Sequence, residues 1–393
     1  RLLFLVPFGF LLFSFACDTN DSEIYDVQIQ DVQIDIGDPK TFKISQFFDT
    51  CFIIPLDNRE LVGAVGEVFV DDQGVLVVDE RITKKVYLYD WEGSLKKFIS
   101  KEGDGPGEYL YPRDAQFVGA NEVMVNSAGL NKLIYVNVDT DQTKDVFLDS
   151  VGYLADFKFF GGKNYFVVKN ESGKNGIIKT SENLISDLFE ISISEKYLSQ
   201  DRSRYGSGKG HFLYPKSSGN GFYFSDVNTP YFLEFENDKL KKAFKVSLSE
   251  RELDYSKIEI GTERSALQMA KNEKLIYFSN HILVANDVLF LGLDDSGFGK
   301  MAIWDKKSEK GYFVEKIEND IAVIPNISAF LGEYSAVPGY FVFVIEAGDL
   351  INILGKLEEN DNPYLGKLRG LDIQKDDNPV LFIYRFKEDI DLD

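Results

Sequence analysis

Six times along this chain an apolar run, a short turn of Gly, Asn or Asp, and a second apolar run follow one another. Few architectures accept that pattern, because each such hairpin needs a neighbour on both faces. The turns are Asp71-Asp72-Gln73-Gly74, Gly119-Ala120-Asn121, Gly161-Gly162-Lys163-Asn164, Ser217-Ser218-Gly219-Asn220-Gly221, Asn286-Asp287 and Val337-Pro338-Gly339. Second strands are expected at residues 75–78, 122–125, 165–168, 222–224, 288–291 and 340–345. Third strands follow in most units, at 85–89, 132–136, 231–235 and 301–304. In the first unit Asp90-Trp91-Glu92-Gly93 turns the chain into a fourth strand, 94–99, which makes a four-stranded meander. Units recur at intervals of roughly 40 to 65 residues without ββα or heptad signatures, which means a propeller. Composition agrees: 33 Phe and 20 Tyr, both strand formers, against three Met. The expected fold class is therefore all-β, a six-bladed β-propeller of four-stranded antiparallel blades.

Between the first two units lies Glu102-Gly103-Asp104-Gly105-Pro106-Gly107-Glu108-Tyr109. Three glycines and a proline force a tight non-helical turn, read as the corner where one blade hands over to the next. A phosphate cradle is the competing reading. The stretch has no Gly-Lys-Ser/Thr ending, and its three acidic side chains would repel phosphate.

At its start the chain reads Arg1 and then an apolar run from Leu2 to Ala16, short for a membrane span but the length of a signal-peptide core. Ser14-Phe15-Ala16-Cys17 resembles a bacterial lipobox with loosened first positions, in which Cys17 would carry the lipid. Asp18, Asp21 and Glu23 follow, resembling an acidic surface-export tag. The expected organisation is a signal peptide over 1–16, an acidic flexible tether over 17–40 and the propeller over 41–393. The expected location is the outer membrane, lipid-anchored and facing the exterior. The remaining cysteine, Cys51, reads as a small buried apolar residue. Residues 41–45 and 52–55 read as spare strands that pair with the final strand, 380–386, and close the ring, removing two open edges. Inserts at 194–210 and 249–274, the latter with a helix near 263–272, are expected to roof one mouth of the channel.

The balance of 43 basic against 64 acidic side chains gives a net charge of −21, which repels phosphate backbones and argues against nucleic acid as a partner. His211 and His281 are the only histidines, too few for a three-histidine zinc site within one chain. No metal is expected, with calcium left open at Asp139-Thr140-Asp141 and Asp294-Asp295, neither of which completes an EF-hand loop. Tyr205-Gly206-Ser207-Gly208 misses the first glycine of a nucleophile elbow. Polar residues do interrupt the starts of inner strands: Arg113 and Asp114, Asp156, His211 and His281. With Arg204 and Tyr205 from the first insert they form the candidate ligand site at the channel mouth, since Arg plus Tyr suits an anionic or sugar ligand. The competing reading makes Arg113, Asp114 and Asp156 inter-blade ion pairs.

The run 86–89 with Gly93 and Phe98, then Gly103-x-Gly105-Pro106-Gly107-Glu108-Tyr109, and the late Asp377-Asn378-Pro379-Val380, together carry a resemblance. They are similar to the six-bladed β-propeller lipoproteins of Bacteroides-like bacteria, relatives of NHL-repeat propellers, over roughly residues 40–390. The resemblance implies the fold and a surface location, and no catalytic residues. Function is expected to be non-enzymatic binding of a glycan, a peptide or an outer-membrane protein partner in uptake or sensing. An extracellular carbohydrate-active or lyase-type enzyme with its site in the channel mouth is the alternative, and a scaffold using the rim is a third.

Overall fold

The structure, a computed structural model, describes residues 27–148, 153–169, 175–180, 188–191, 193, 197–198, 212–258, 264–322, 336–337, 339–358 and 362–392. The chain enters through β1 (Ile29–Lys43), the short helix α1 (Ile44–Phe47) and β2 (Phe48–Pro55). A first meander follows: β3 (Glu67–Asp71), β4 (Gly74–Asp79), β5 (Lys85–Tyr89) and β6 (Leu95–Ile99). The second is β7 (Pro112–Gly119), β8 (Glu122–Ser127), β9 (Lys132–Asn137) and β10 (Thr143–Phe147). The third is β11 (Tyr153–Phe160), β12 (Lys163–Lys169), β13 (Asn175–Thr180) and β14 (Leu188–Ile191). Next come β15 (Leu213–Pro215), β16 (Gly221–Phe224), β17 (Tyr231–Glu236) and β18 (Lys239–Leu248). After helix α2 (Arg264–Glu273) the chain forms β19 (Ile276–Ala285), β20 (Val288–Asp295), β21 (Phe298–Asp305) and β22 (Lys310–Glu318). It ends with β23 (Ala336–Val337), β24 (Tyr340–Ile345), helices α3 (Ala347–Leu354) and α4 (Pro363–Arg369), and β25 (Val380–Phe386).

Each meander is antiparallel, and the core lies between meanders rather than within them. One cluster joins Leu76, Val78 and Val86 of the first to Ala115, Phe117, Val123 and Val125 of the second. Another joins Met124 and Leu133 of the second to Phe157, Phe166 and Val168 of the third. Sheets covered on both faces explain β4, whose six residues are all buried and whose Val-Leu-Val-Val run does not alternate. Face-to-face stacking of small twisted sheets around a common axis is the propeller arrangement.

The amino-terminal segment does two things. From Phe48 to Pro55, β2 pairs antiparallel with β25, in the order β2-β25-β24-β23, so residues 52–55 meet the final strand as expected. Residues 41–45 do not: 41–43 lie on β1 opposite β22, and Ile44 and Ser45 open α1. Upstream, the structure departs from the expected tether, because residues 29–40 are strand. Here β1 runs parallel to β18 (Val32 opposite Val246) and then parallel to β22 (Thr41 opposite Lys316), merging two meanders into a nine-stranded sheet. Val32 and Ile34 are buried to 0% and 1% exposure while Asp31, Gln33 and Asp35 face water. Averaging charge over the segment hid that period of two.

Asn378 fastens the junction of the two ends. Its Oδ1 accepts from the Val62 N–H at 2.8 Å, and its Nδ2 donates to the carbonyls of Asp57 and Glu60, each at 2.8 Å. Asn378→Ala leaves one donor and two acceptors without their partner, with an expected loss of about 2–3 kcal/mol. A fall in urea midpoint at unchanged slope is the readout, and a midpoint within 0.1 M of wild type, on the order of a tenth of the expected shift, contradicts it.

The glycine-rich corner connects β6 to β7 as expected. Tyr109 is wholly buried, and its hydroxyl donates toward the Ile99 carbonyl at 2.8 Å and accepts from the Lys101 N–H at 3.2 Å. Gly107 has φ +72°, and a Cβ there would come 2.2 Å from Thr143 Oγ1, so glycine is required on both counts.

Candidate functional site

Inner strands of successive meanders meet at a polar cluster built on β7 and β11. On a strand, residues two apart share a face. Asp156 and Lys158 are placed in that way on β11, and Lys158 Nζ lies 3.7 Å from Asp156 Oδ1 and 3.4 Å from Asp114 Oδ2 on β7. The Lys158 side chain is 12% exposed and those of Asp114 and Asp156 are 11% and 4%. Burial works to strip the Lys158 proton, but Asp114, then Asp156, then Glu67 at the start of β3 outweigh it and hold the ammonium above its ordinary range.

Hydrogen bonds carry the cluster around the axis. Asp156 Oδ2 accepts from the N–H groups of Phe212 and Leu213 at 2.8 and 3.0 Å, fixing the start of β15. Gln116 Oε1 accepts from the Phe159 N–H at 2.7 Å, tying β7 to β11. Tyr214 donates to the Asn280 carbonyl at 2.6 Å, tying β15 to β19, and burial raises its phenol well above the ordinary range. Asn126 of β8 pairs across the strand with Asp114, and its Oδ1 is buried with no hydrogen-bond partner among the described residues.

Of the residues singled out from sequence, Asp114 and Asp156 are brought together, and the cation between them is Lys158. The alternation Asp156-Phe157-Lys158 on an inner strand was the signal that could have found it. Arg113 sits half-buried at a bulge of β7, beside Asp114. His281 is half-buried on β19, next to Asn280, and packs over Gly292, where a Cβ would come 3.0 Å from the His281 Cβ. Arg204, Tyr205 and His211 lie outside the described residues, as do the signal peptide, Cys17 and most of the first insert. The second insert contains α2 as read.

The calcium candidates are engaged elsewhere. Asp139 accepts from Asn121 Nδ2 at 2.6 Å and Asp141 pairs with Lys97 at 2.7 Å. Asp294 caps the Gly297 N–H, and Asp295 takes both guanidinium nitrogens of Arg251. Among the described residues no three His, Cys, Asp or Glu side chains are grouped to hold a metal ion. No helix among them is long and apolar enough to cross a membrane. Cys51 is buried, as expected, and burial pushes its thiol up to about 12.

Comparison with solved structures finds a putative exported protein, BF0058, from Bacteroides fragilis. It is 15% identical, with a TM-score of 0.68 over 91% of this chain and 100% of that one. A DUF4221-family member from Bacteroides vulgatus is 9% identical, with a TM-score of 0.50 over 86% of this chain and 97% of that one. Such identities speak to fold alone. No curated protein matches the chain in sequence. The family model described as "Domain of unknown function (DUF4934)" matches residues 27–385, nearly everything from β1 to β25, and the chain belongs to that family.

Proposed function

We propose that this chain is an extracytoplasmic, six-bladed β-propeller lipoprotein, anchored through Cys17 in the outer membrane, that binds a ligand at the axial mouth without chemical turnover. Six meanders, with β2 completing the last of them, supply the blades, and pairing of β2 with β25 closes the ring. The likeness to a putative exported protein supports an address outside the cytoplasm. The binding reading rests on one observation, the Lys158 clamp. An ammonium held protonated between Asp114 and Asp156 is a fixed charge that can orient a polar ligand, not a group that exchanges protons near neutral pH. Asn126 beside it offers a buried acceptor to a ligand donor. Hydrogen-bond donors of a glycan, a peptide or a partner protein fit such a mouth.

The test is thermal unfolding and titration calorimetry against glycan fragments and peptides, for wild type, Asp114→Asn and Lys158→Met. A ligand at 100 times its Kd adds about 2.7 kcal/mol of stability. The expected result is a stabilising ligand whose affinity falls at least about tenfold in either variant, a loss of ~1.4 kcal/mol. Binding that survives both substitutions moves the site elsewhere, and conversion of any bound glycan overturns the non-enzymatic reading.

A further inference from the structure

The sequence that leads into and forms β1 carries one five-residue pattern twice. Asp26-Val27-Gln28-Ile29-Gln30 is followed at once by Asp31-Val32-Gln33-Ile34-Asp35, four identities in five positions. In the structure the second copy holds the slot. Val32 lies opposite Val246 and Ile34 opposite Leu248, both wholly buried, while Ile29 of the first copy is 37% exposed. Register in a parallel pair is set by which apolar side chains fill the buried sites, and here two sets of side chains fit the same sites.

We propose that β1 occupies two registers on β18, five residues apart, and so works as a two-position ratchet between the amino-terminal segment and the propeller. In the second register Val27 faces Val246 and Ile29 faces Leu248, with Gln28 opposite Ser247. Five is an odd number, so the shift turns every side chain of β1 to the other face: Ile29, exposed now, turns inward with Val27, and Gln30 turns outward. The exchange therefore requires the strand to leave the slot, rotate half a turn about its own axis and pair again.

Two further features fit this exchange. Gln30 Oε1 is buried without a partner in the observed register. After the shift Gln30 stands where Asp35 stands now, within reach of the Ser249 hydroxyl that donates to Asp35 Oδ1 at 3.2 Å. Slack is also present. Asp35 pairs with Tyr312 and Lys40 with Val314, so Gly37, Asp38 and Pro39 already bulge out of the ladder and can take up the released residues. Two costs keep the second register minor. Val27 leaves the apolar cluster it packs against, and Asp31 arrives where Ile36 packs now. The shift draws five residues, about 16 Å of extended chain, into the slot from the amino-terminal side. The distance between the propeller and whatever precedes residue 26 changes accordingly.

Disulfide trapping in the full chain with Cys17→Ser tests the idea under a thiol–disulfide redox buffer. Gln33→Cys with Ser247→Cys reports the observed register, Gln28→Cys with Ser247→Cys reports the shifted one, and Gln30→Cys with Ser247→Cys reports fraying. The expected yields are a major 33–247 product and a 28–247 product several-fold above the 30–247 pair. Adding Val32→Asn and Ile34→Asn, which spoil only the second copy, is expected to raise the ratio of 28–247 to 33–247 product at least about tenfold. A 28–247 yield no greater than that of the 30–247 pair overturns the proposal, and the wild-type apolar background decides this even if the Asn variants do not fold.

Discussion

Asp79→Ala is expected to lower stability by about 3–5 kcal/mol, among the largest effects of any single substitution in this chain. The carboxylate, wholly buried at the end of β4, gathers two loops. Its Oδ1 accepts from the N–H groups of Arg81 and Ile82 at 3.1 and 2.9 Å. Its Oδ2 accepts from the N–H groups of Gly63, Ala64 and Thr83 at 2.8, 3.1 and 3.1 Å, and from the Thr83 hydroxyl at 2.8 Å. No alanine can replace such an acceptor, and the five N–H groups must then find water or stay unpaired. The crossing of the loops is tight, since a Cβ on Gly63 would come 2.4 Å from the Ile82 Cβ. Asp79→Asn keeps one oxygen acceptor and is expected to lose less. Urea unfolding of the three proteins at pH 7 checks the order, and equal stability of Asp79→Ala and wild type contradicts it.

Acid supplies a second readout of the same group. Burial pushes the Asp79 carboxyl up, but the N–H of Ile82, the hydroxyl and N–H of Thr83 and the N–H of Ala64 outweigh it, leaving the pKa below the ordinary carboxylate value. A carboxyl depressed in the folded state contributes its full stability above the unfolded pKa, near 3.9, and loses it as pH falls through the folded value. Wild type should therefore lose stability more steeply than Asp79→Asn below about pH 4, and the two slopes should coincide above about pH 5.

What the sequence shows clearly is what repeats. Hairpins announce themselves through local turn chemistry, so the meanders, the corner at residues 102–109, the helix before β19 and the pairing of the two chain ends could all be read directly. The axial cluster was legible in part. Asp114 and Asp156 stood out as acids at the starts of strands, but Lys158, in mid-strand, was not singled out, because its pairing with Asp114 depends on how β7 and β11 pack. Lys132 is the sharper case, because a lysine opening a strand carries no sign that its side chain will be only 1% exposed. Long-range pairing is set by tertiary geometry, and one strand's residues do not encode their neighbour on another. The β1 segment failed for a different reason: its Asp and Gln residues dominate the composition, while two buried residues, Val32 and Ile34, decide where it goes.

Breaking the Lys132–Asp145 pair should cost about 3–5 kcal/mol from either side, and removing both partners should cost markedly less than the sum. Lys132 Nζ donates to Asp145 Oδ2 at 2.9 Å and to the Gly105 carbonyl at 2.9 Å. Asp145 in turn accepts from the Gly107 N–H at 3.0 Å through both oxygens. One ion pair on the outer strands β9 and β10 thus holds the glycine-rich corner on the backbone that precedes β7. Lys132→Met leaves a carboxylate of 12% exposure without its cation, and Asp145→Leu leaves an ammonium with a single carbonyl. Both singles are uncompensated charges, whereas Lys132→Met with Asp145→Leu buries two apolar side chains and loses only the hydrogen bonds to the corner. A double-mutant cycle by urea unfolding is expected to give a coupling energy of at least ~1.5 kcal/mol, and additivity within ~0.5 kcal/mol contradicts the clamp. The cycle also bears on binding. The corner sets the entry of β7, and β7 carries Asp114, so loosening it should weaken any ligand held at the axial mouth while leaving Asp114 and Lys158 chemically intact.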